Sequence, residues 1–219
     1  MLPKIIIHNS ISIDCSLTNF EPNMGLHYEI AGSYKPDIHL IGSNTIKKGI
    51  ELYEEGVPKE EKKDFEKQKR DKNLPYWVII DTRGVLKGLL HTCRRFEFCK
   101  DVIVLVSEKT PKTYLNHLKE RNYDYHIVGK DHVNLVKALE LLSNKYKTKI
   151  ILTDTGKILG NLLLNQGLVS EISLLVHPII IGKNSYNMFG GIDKIIKLKL
   201  LKKETREKEY AWLVYKIEK

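Results

Sequence analysis

Cysteine is scarce in this sequence, with only Cys15, Cys93 and Cys99 among 219 residues. The odd count argues against a disulfide framework, and none of the three stands at the spacing of a metal site. Metal-site spacing is also lacking at His8, His27, His39, His91 and His177. The sequence therefore predicts neither a disulfide-stabilised domain nor a bound metal.

Long apolar runs are also missing. No stretch approaches the ~20 consecutive apolar residues that a membrane-spanning helix requires. The apolar start at residues 4–7 is too short for the core of a signal peptide. We therefore expect a cytoplasmic protein that has no membrane partner.

The sequence has no stripe in which basic and aromatic residues alternate, although its formal net charge is +9. Acids are interspersed with the bases almost everywhere, which is typical of a solvated surface. Residues 58–74 are the one compositionally distinct segment, with seven bases, five acids and no hydrophobic face. This segment is predicted to be a solvated helix or a mobile excursion. We expect no nucleic-acid partner, while an acidic small-molecule ligand stays compatible with the charge.

What the chain does contain is an alternation of strand-length apolar runs and helical patterns, which is typical of an α/β protein. Strands are predicted at residues 4–9, 37–42, 76–80, 101–106, 123–128, 150–152 and 171–177. Helices are predicted near 25–34, from 43 toward 53, at 111–121 and at 158–164. A further helix is predicted after Asp131, which would cap it, because Val133, Val136, Leu139 and Leu142 recur at helical spacing.

The last two apolar runs, residues 196–201 and 211–217, are separated by a charged turn and predict an antiparallel hairpin. We therefore expect a single domain over residues 1–219. Its sheet is predicted to be mixed but mostly parallel, flanked by helices and closed by this C-terminal hairpin. The edge of the hairpin is rich in Ile, Leu and Val and contains Trp212, so it is a candidate surface for dimer formation.

Small polar or charged residues follow five of the predicted strands. They stand at residues 43–45, 81–83, 107–108, 129–131 and 154–156. In sheets of this class, ligands bind at the carboxyl edge of the strands. These residues are therefore expected to line a ligand site.

The clearest of these strand ends is the turn Thr153-Asp154-Thr155-Gly156-Lys157, which stands between a buried strand and a helix. Unpaired N–H groups at the helix start and the charge of Lys157 suit a phosphate. Gly156 allows a close backbone approach or a positive φ. The turn lacks the first glycine and the final Ser/Thr of a phosphate loop, so an ordinary strand-to-helix loop remains the alternative.

Several motifs recur in the order and rough spacing of one family. They are Ser12–Leu17, Gly42-Ser43-Asn44-Thr45, Ile80-Asp81-Thr82, Asp154–Asn161 with Gly167–Glu171, and His177–Gly182. With them the chain resembles the RibD C-terminal family, the riboflavin-pathway reductases that share the dihydrofolate reductase fold. The resemblance extends over nearly the whole chain.

This resemblance implies NADPH as the cofactor, with its pyrophosphate on the glycine-containing turn. The implied cofactor-binding residues are Ser43, Thr45, Thr82, Arg83, Asp154, Thr155, Gly156, Lys157 and Ile158. Within this set, Thr82 and Arg83 stand where the fold recognises the adenosine 2′-phosphate, and Asp154 is expected to organise the turn. Members of the family commonly form homodimers.

The implied reaction reduces the ribosylamino side chain of a pyrimidine 5′-phosphate to ribitylamino. Asp14 and Glu51 are the candidate general acids. The bases considered for the substrate phosphate are Lys35, Lys47, Lys48, Arg94 and Arg95.

The chain departs from the family pattern at three places. Cys15 replaces the glycine after Asp14, Thr155 replaces the first glycine of the turn, and Lys48-Gly49-Ile50 stands where the family often carries Asp-Asp-Pro. Two alternatives therefore stay open: a pterin or folate reductase on the same fold, and a nucleotide-binding protein without turnover.

Overall fold

The computed structural model of the chain describes residues 2–53 and 56–218. The strands are β1 (Lys4–Ser12), β2 (Ile38–Gly42), β3 (Tyr76–Ile80), β4 (Val102–Val106), β5 (Asp124–Ile127), β6 (Ile150–Thr153), β7 (Glu171–His177), β8 (Leu198–Arg206) and β9 (Tyr210–Ile217). The α-helices are α1 (Met24–Ser33), α2 (Ser43–Tyr53), α3 (Leu90–Arg95), α4 (Lys112–Glu120), α5 (Leu135–Tyr146) and α6 (Lys157–Asn165).

The chain divides into two compact units. One comprises Met1–Pro3 and Pro36–Lys149, and the other comprises Lys4–Lys35 and Ile150–Lys219. We call them the central unit and the terminal unit. The predicted single domain over residues 1–219 stays a prediction.

The central unit is built on four parallel strands in the order β5-β4-β3-β2. Ile41, Ile79 and Val104 are nearly fully buried, and they pack with Leu118 of α4 in one apolar cluster. Strands this apolar are typical of parallel sheets that are covered on both faces. Because Gly42 pairs with Ile80, the ends of β2 and β3 lie level at one edge of the sheet.

The terminal unit contains the strands β6-β1-β7-β9-β8. Strand β1 runs parallel to both β6 and β7, whereas β9 pairs antiparallel with β7 and β8. Helix α1 packs Leu26 and Ile30 against Leu175, Trp212 and Val214. The predicted fold class, a mixed and mostly parallel sheet with helices and a C-terminal antiparallel hairpin, is thus confirmed.

The predicted cap of helix α5 is wrong. The helix begins at Leu135, and the side chain of Asn134 accepts a 3.0 Å hydrogen bond from the N–H of Lys137. Asp131 and Val133 therefore precede the helix, and Val136 is 39% exposed. Of the four predicted positions, Leu139 and Leu142 are buried as expected, and the other two buried positions are Leu135 and Ala138 instead of Val133 and Val136.

The charged segment at residues 58–74 does not form the predicted solvated helix. It contains only one short 3-10 helix, Lys62–Phe65, in which the carboxylate of Asp64 is buried. Arg95 donates to Asp64 at 2.6 and 2.8 Å, and Arg70 donates to backbone carbonyls of residues 94–97. The segment is therefore a loop held by ion pairs whose partners are distant in sequence.

Among the described residues, no helix combines the length and the apolar character needed to cross a membrane.

Candidate functional site

The glycine-containing turn lies between β6 and α6, as the sequence predicts. Thr155 is buried, and Gly156 is the N-cap residue of α6, with an extended backbone at φ −66° and ψ 175°. The positive φ considered for Gly156 is therefore wrong, because a residue that precedes a helix adopts extended backbone. Because the N-cap residue is a glycine, it supplies no side chain to cap α6. The helix thus presents first-turn N–H groups that suit an anion.

Lys157, the first residue of α6, lies against the loop that follows β7. Its Nζ is 5.3 Å from the ring centroid of Tyr186, and it lies 2.9 Å from the position that a Cβ atom on Gly190 would occupy. One turn later, the Nδ2 of Asn161 lies 2.7 Å from the equivalent position on Gly191. Both glycines therefore allow the loop backbone to approach α6 closely.

Asp14 lies just beyond β1 and is engaged by this same loop. Its carboxylate accepts a 2.6 Å hydrogen bond from the hydroxyl of Ser12, and it also accepts the N–H groups of Ile181 at 3.1 Å and Gly182 at 2.9 Å. These bonds, that of Ser12 foremost, lower the pKa of Asp14 to about 2. Asp14 is therefore ionised at neutral pH and anchors the loop.

A buried histidine pair, which the sequence analysis did not connect with the turn, lies beside Asp154. His8 of β1 and His27 of α1 are 0% and 5% exposed, and their ring centroids are 4.5 Å apart. Nε2 of His27 lies 3.6 Å from Oδ2 of Asp154, which is ion-pair distance but longer than a hydrogen bond. The only sequence signal was a polar residue, His8, inside the apolar run of β1.

In the central unit, the predicted residues lie at neighbouring strand ends. Ser43 and Thr45 belong to the first turn of α2, directly after β2. Thr82 and Arg83 follow β3, whose last residue is level with Gly42. The expectation that these strand ends share one edge of the sheet is thus met within this unit.

The turn after β3 is held rigidly. The carboxylate of Asp81 is buried and accepts the N–H groups of Val85 at 3.1 Å and Leu86 at 3.0 Å. Gly84 has φ +69°, and a Cβ atom there would lie 2.7 Å from the ring of Tyr114. Arg83 is exposed, and its guanidinium has no hydrogen bond or ion pair within residues 2–53 and 56–218. It is therefore available to an anionic ligand.

Glu51 lies two turns into α2 and is solvent-exposed. Its one ion pair among the described residues is with Lys47, at 3.9 Å and four residues away. This is the arrangement of a surface carboxylate, and the role of Glu51 as general acid stays a prediction.

Arg94 and Arg95, considered above for a substrate phosphate, have structural partners instead. Arg94 is 1% exposed and donates to the carboxylate of Asp101 at 2.9 Å, as well as to three backbone carbonyls. Its guanidinium also lies 3.8 Å from the ring centroid of Tyr123. Both arginines belong to α3, a helix that was not predicted. Lys35, Lys47 and Lys48 are exposed and remain the candidates for the phosphate.

Several solved structures share the fold over 99% of this chain. A pyrimidine reductase-like protein from Corynebacterium diphtheriae has a TM-score of 0.71, 18% identity and 92% of its own length covered. The riboflavin biosynthesis reductase Rib7 of Saccharomyces cerevisiae has a TM-score of 0.69, 16% identity and 90% coverage. RibD of Acinetobacter baumannii has a TM-score of 0.70 and 16% identity, and this chain spans only 58% of its length.

One of the two sequence comparisons agrees with the motifs described above. A search among curated proteins gives no match. A family model described as the RibD C-terminal domain, however, matches residues 3–212 and so includes the strand ends of both units. The chain therefore belongs to the RibD C-terminal domain family, as its motifs suggest.

Proposed function

We propose that this protein is an NADPH-dependent reductase of riboflavin biosynthesis, which reduces the ribosylamino side chain of a pyrimidine 5′-phosphate to ribitylamino. The observation that carries the proposal is the N-terminus of α6, whose N-cap residue Gly156 supplies no capping side chain and which follows the family's turn motif. The names of the structural neighbours, a riboflavin biosynthesis reductase and a pyrimidine reductase-like protein, support the same reaction class.

The turn at residues 154–157 fits the cofactor's pyrophosphate by the chemistry of its donors. The first N–H groups of α6 point away from the helix, where the helix dipole is positive. Gly156 adds no side chain at this end, and Lys157 adds one positive charge. Thr155 and Ile158 flank these donors and are proposed to contact the cofactor.

The turn after β3 fits the adenosine 2′-phosphate that distinguishes NADPH from NADH. Arg83 stands on a loop that Asp81 and Gly84 hold in place, and its guanidinium is exposed. A guanidinium is a permanently charged, forked donor that matches phosphate geometry. Thr82 beside it, and Ser43 and Thr45 at the end of β2, are proposed to complete the cofactor contacts.

When bound, NADPH supplies the hydride that the imine carbon of the ring-opened sugar accepts. The C=N bond becomes a C–N single bond, and the nitrogen takes up one proton. Asp14 is ill-suited to donate it, since its pKa is lowered to about 2. We assign Asp14 the task of fixing the loop after β7. The chain's remaining task is to bind and orient both reactants, with Lys35, Lys47 or Lys48 pairing with the substrate phosphate.

The proposal is tested by following NADPH oxidation with the purified protein. Reduction of the ribosylaminopyrimidine phosphate, with ribitylamino product identified by mass spectrometry, is the expected result. Reduction of a dihydropterin or of dihydrofolate instead would assign the alternative reductase activity. Saturable NADPH binding without turnover of either substrate class would assign the non-catalytic alternative. We further propose that the protein acts in the cytoplasm and as a homodimer.

A further inference from the structure

We infer that His27 is a positioning residue for the anion-binding turn: its imidazole holds the carboxylate of Asp154 and screens the negative charge of that carboxylate from an anion bound at the start of α6. The inference rests on the proposed function insofar as the anion is the cofactor's pyrophosphate. All the residues involved belong to the terminal unit.

A chain of buried hydrogen bonds sets the orientation of the neighbouring His8. The indole N–H of Trp212 donates to Oγ of Ser173 at 2.9 Å, and this hydroxyl lies 2.9 Å from Nδ1 of His8. Nε2 of His8 lies 3.2 Å from the backbone carbonyl of His27. A carbonyl can only accept, so Nε2 of His8 carries the hydrogen and Nδ1 accepts from Ser173. His8 thereby fixes the backbone of α1 at His27.

Of the two histidines, only His27 turns a ring nitrogen toward the carboxylate of Asp154. Burial, with the neighbouring His27 as a smaller cause, lowers the pKa of His8 to about 3, so His8 is neutral at physiological pH. Nδ1 of His27 lies 3.0 Å from the hydroxyl of Ser10, and Nε2 lies 3.6 Å from Oδ2 of Asp154. A hydroxyl both donates and accepts, so Ser10 can satisfy Nδ1 while Nε2 directs its hydrogen at Asp154.

This pairing matters because a carboxylate stands at the head of a turn that suits an anion. A second negative charge near a bound phosphate is repelled, and burial strengthens the repulsion. Asp154 precedes the N-cap Gly156 by two residues, and its side chain is only 15% exposed. By drawing the carboxylate toward α1 and opposing its charge, His27 leaves the N–H groups of α6 and Lys157 to the anion.

A double-mutant cycle tests the inference with four proteins: the natural chain, His27→Leu, Asp154→Asn and both together. Each is measured for NADPH affinity by fluorescence and for stability by urea unfolding without ligand. His27→Leu should weaken NADPH binding on the order of tenfold, because the carboxylate of Asp154 loses the nitrogen of His27 that faces it in a partly buried turn. The same change in the Asp154→Asn background should leave affinity unchanged, and the unfolding free energies should also be non-additive.

Two further variants keep the cycle interpretable. His27→Gln retains an N–H donor without the imidazole ring, so its NADPH affinity should lie between those of the natural chain and His27→Leu. It replaces His27→Leu if that variant does not fold. His117→Leu, a buried histidine of α4 in the central unit, is the matched control. It should lower stability without changing NADPH affinity, and its effects should add to those of Asp154→Asn.

The two readouts separate this inference from the proposed function. Additive unfolding energies, or an equal loss of NADPH affinity with and without Asp154, would overturn the role of His27. If the natural chain binds no NADPH while the unfolding cycle shows coupling, the proposed function is overturned and the His27–Asp154 pairing is supported.

Discussion

At the residue scale, Arg83 is proposed to decide between NADPH and NADH. Its exposed guanidinium can pair with the 2′-phosphate, and a charge-assisted hydrogen bond contributes about 1.5–3 kcal/mol. Arg83→Ala should therefore narrow the preference for NADPH over NADH by roughly tenfold or more. Lys87→Ala, which removes an exposed base from the same turn, should leave the preference intact. Equal affinity of the natural chain for both cofactors would remove the basis for this assignment.

Arg94 has a structural role. Its replacement by methionine leaves the carboxylate of Asp101 and the carbonyls of Asp64, Arg121 and Asn122 without their buried donor. Breaking a buried ion pair from one side costs about 3–5 kcal/mol, so the urea midpoint of Arg94→Met should fall sharply.

Arg95→Met is the comparison for this variant, because the side chain of Arg95 is 27% exposed and the loss should be smaller. Neither change should alter the affinity of the folded protein for the phosphorylated substrate. Weakened substrate binding with unchanged stability would instead indicate that Arg94 binds the substrate.

At the element scale, the start of α6 is expected to bind the pyrophosphate mainly through backbone N–H groups. Gly156→Val should therefore weaken NADPH binding far more than Lys157→Ala, which removes charge only. Since Gly156 has φ −66°, valine fits its backbone, and replacing an N-cap glycine should cost no more than about 1 kcal/mol of stability.

Fluorescence titration with NADPH beside melting curves measures both effects, and Leu162→Ala on the exposed face of α6 is the control. A Gly156→Val protein with a lower melting temperature but normal NADPH affinity would show that the turn is only a structural loop.

The link between the end of β1 and the loop after β7 is expected to weaken in acid. The pKa of Asp14 falls from 3.8 to about 2 on folding, so its ionised form is favoured in the folded protein. The stability it adds is complete above pH ~4 and is lost as the pH falls through about 2.

Asp14→Asn should consequently melt at a lower temperature than the natural chain at pH 7, and the difference should shrink toward pH 2. Glu21→Gln, a change at an exposed carboxylate, serves as the control in the same calorimetric series. A difference between Asp14→Asn and the natural chain that stays constant with pH would contradict the bonds assigned to Asp14.

At the scale of the whole molecule, strand β8 stands at the end of the strand order and exposes Leu198, Leu200 and Leu201 to 41%, 47% and 50%. Trp212 does not contribute to this edge as the sequence suggested, since it is 7% exposed. An apolar edge strand tends to pair with another chain.

Light scattering at micromolar concentration should therefore give about twice the chain's 25.3 kDa. Leu200→Glu should shift the protein toward the monomer, whereas Val136→Glu, at a comparably exposed position of α5, should not. A monomeric mass for the natural chain would count against the homodimer.

The sequence by itself determined the alternation of strands and helices, the C-terminal hairpin and the position of the turn at residues 154–157. These features are local: apolar period, strand length and turn residues within about 20 positions specify them. The family motifs carried the cofactor assignment for the same reason, because each is a short contiguous stretch.

Only the tertiary structure decided which charged and polar residues serve the fold. Asp14 bonds to N–H groups 167 and 168 residues away, His8 meets Ser173 165 residues away, and Arg95 binds Asp64 31 residues away. Such partners have no signature in the local sequence, because the pairing of the strands decides which distant residues meet. The pairing of His27 with Asp154 is an example. Because β1 lies beside β6, the helix after β1 is brought to the turn after β6.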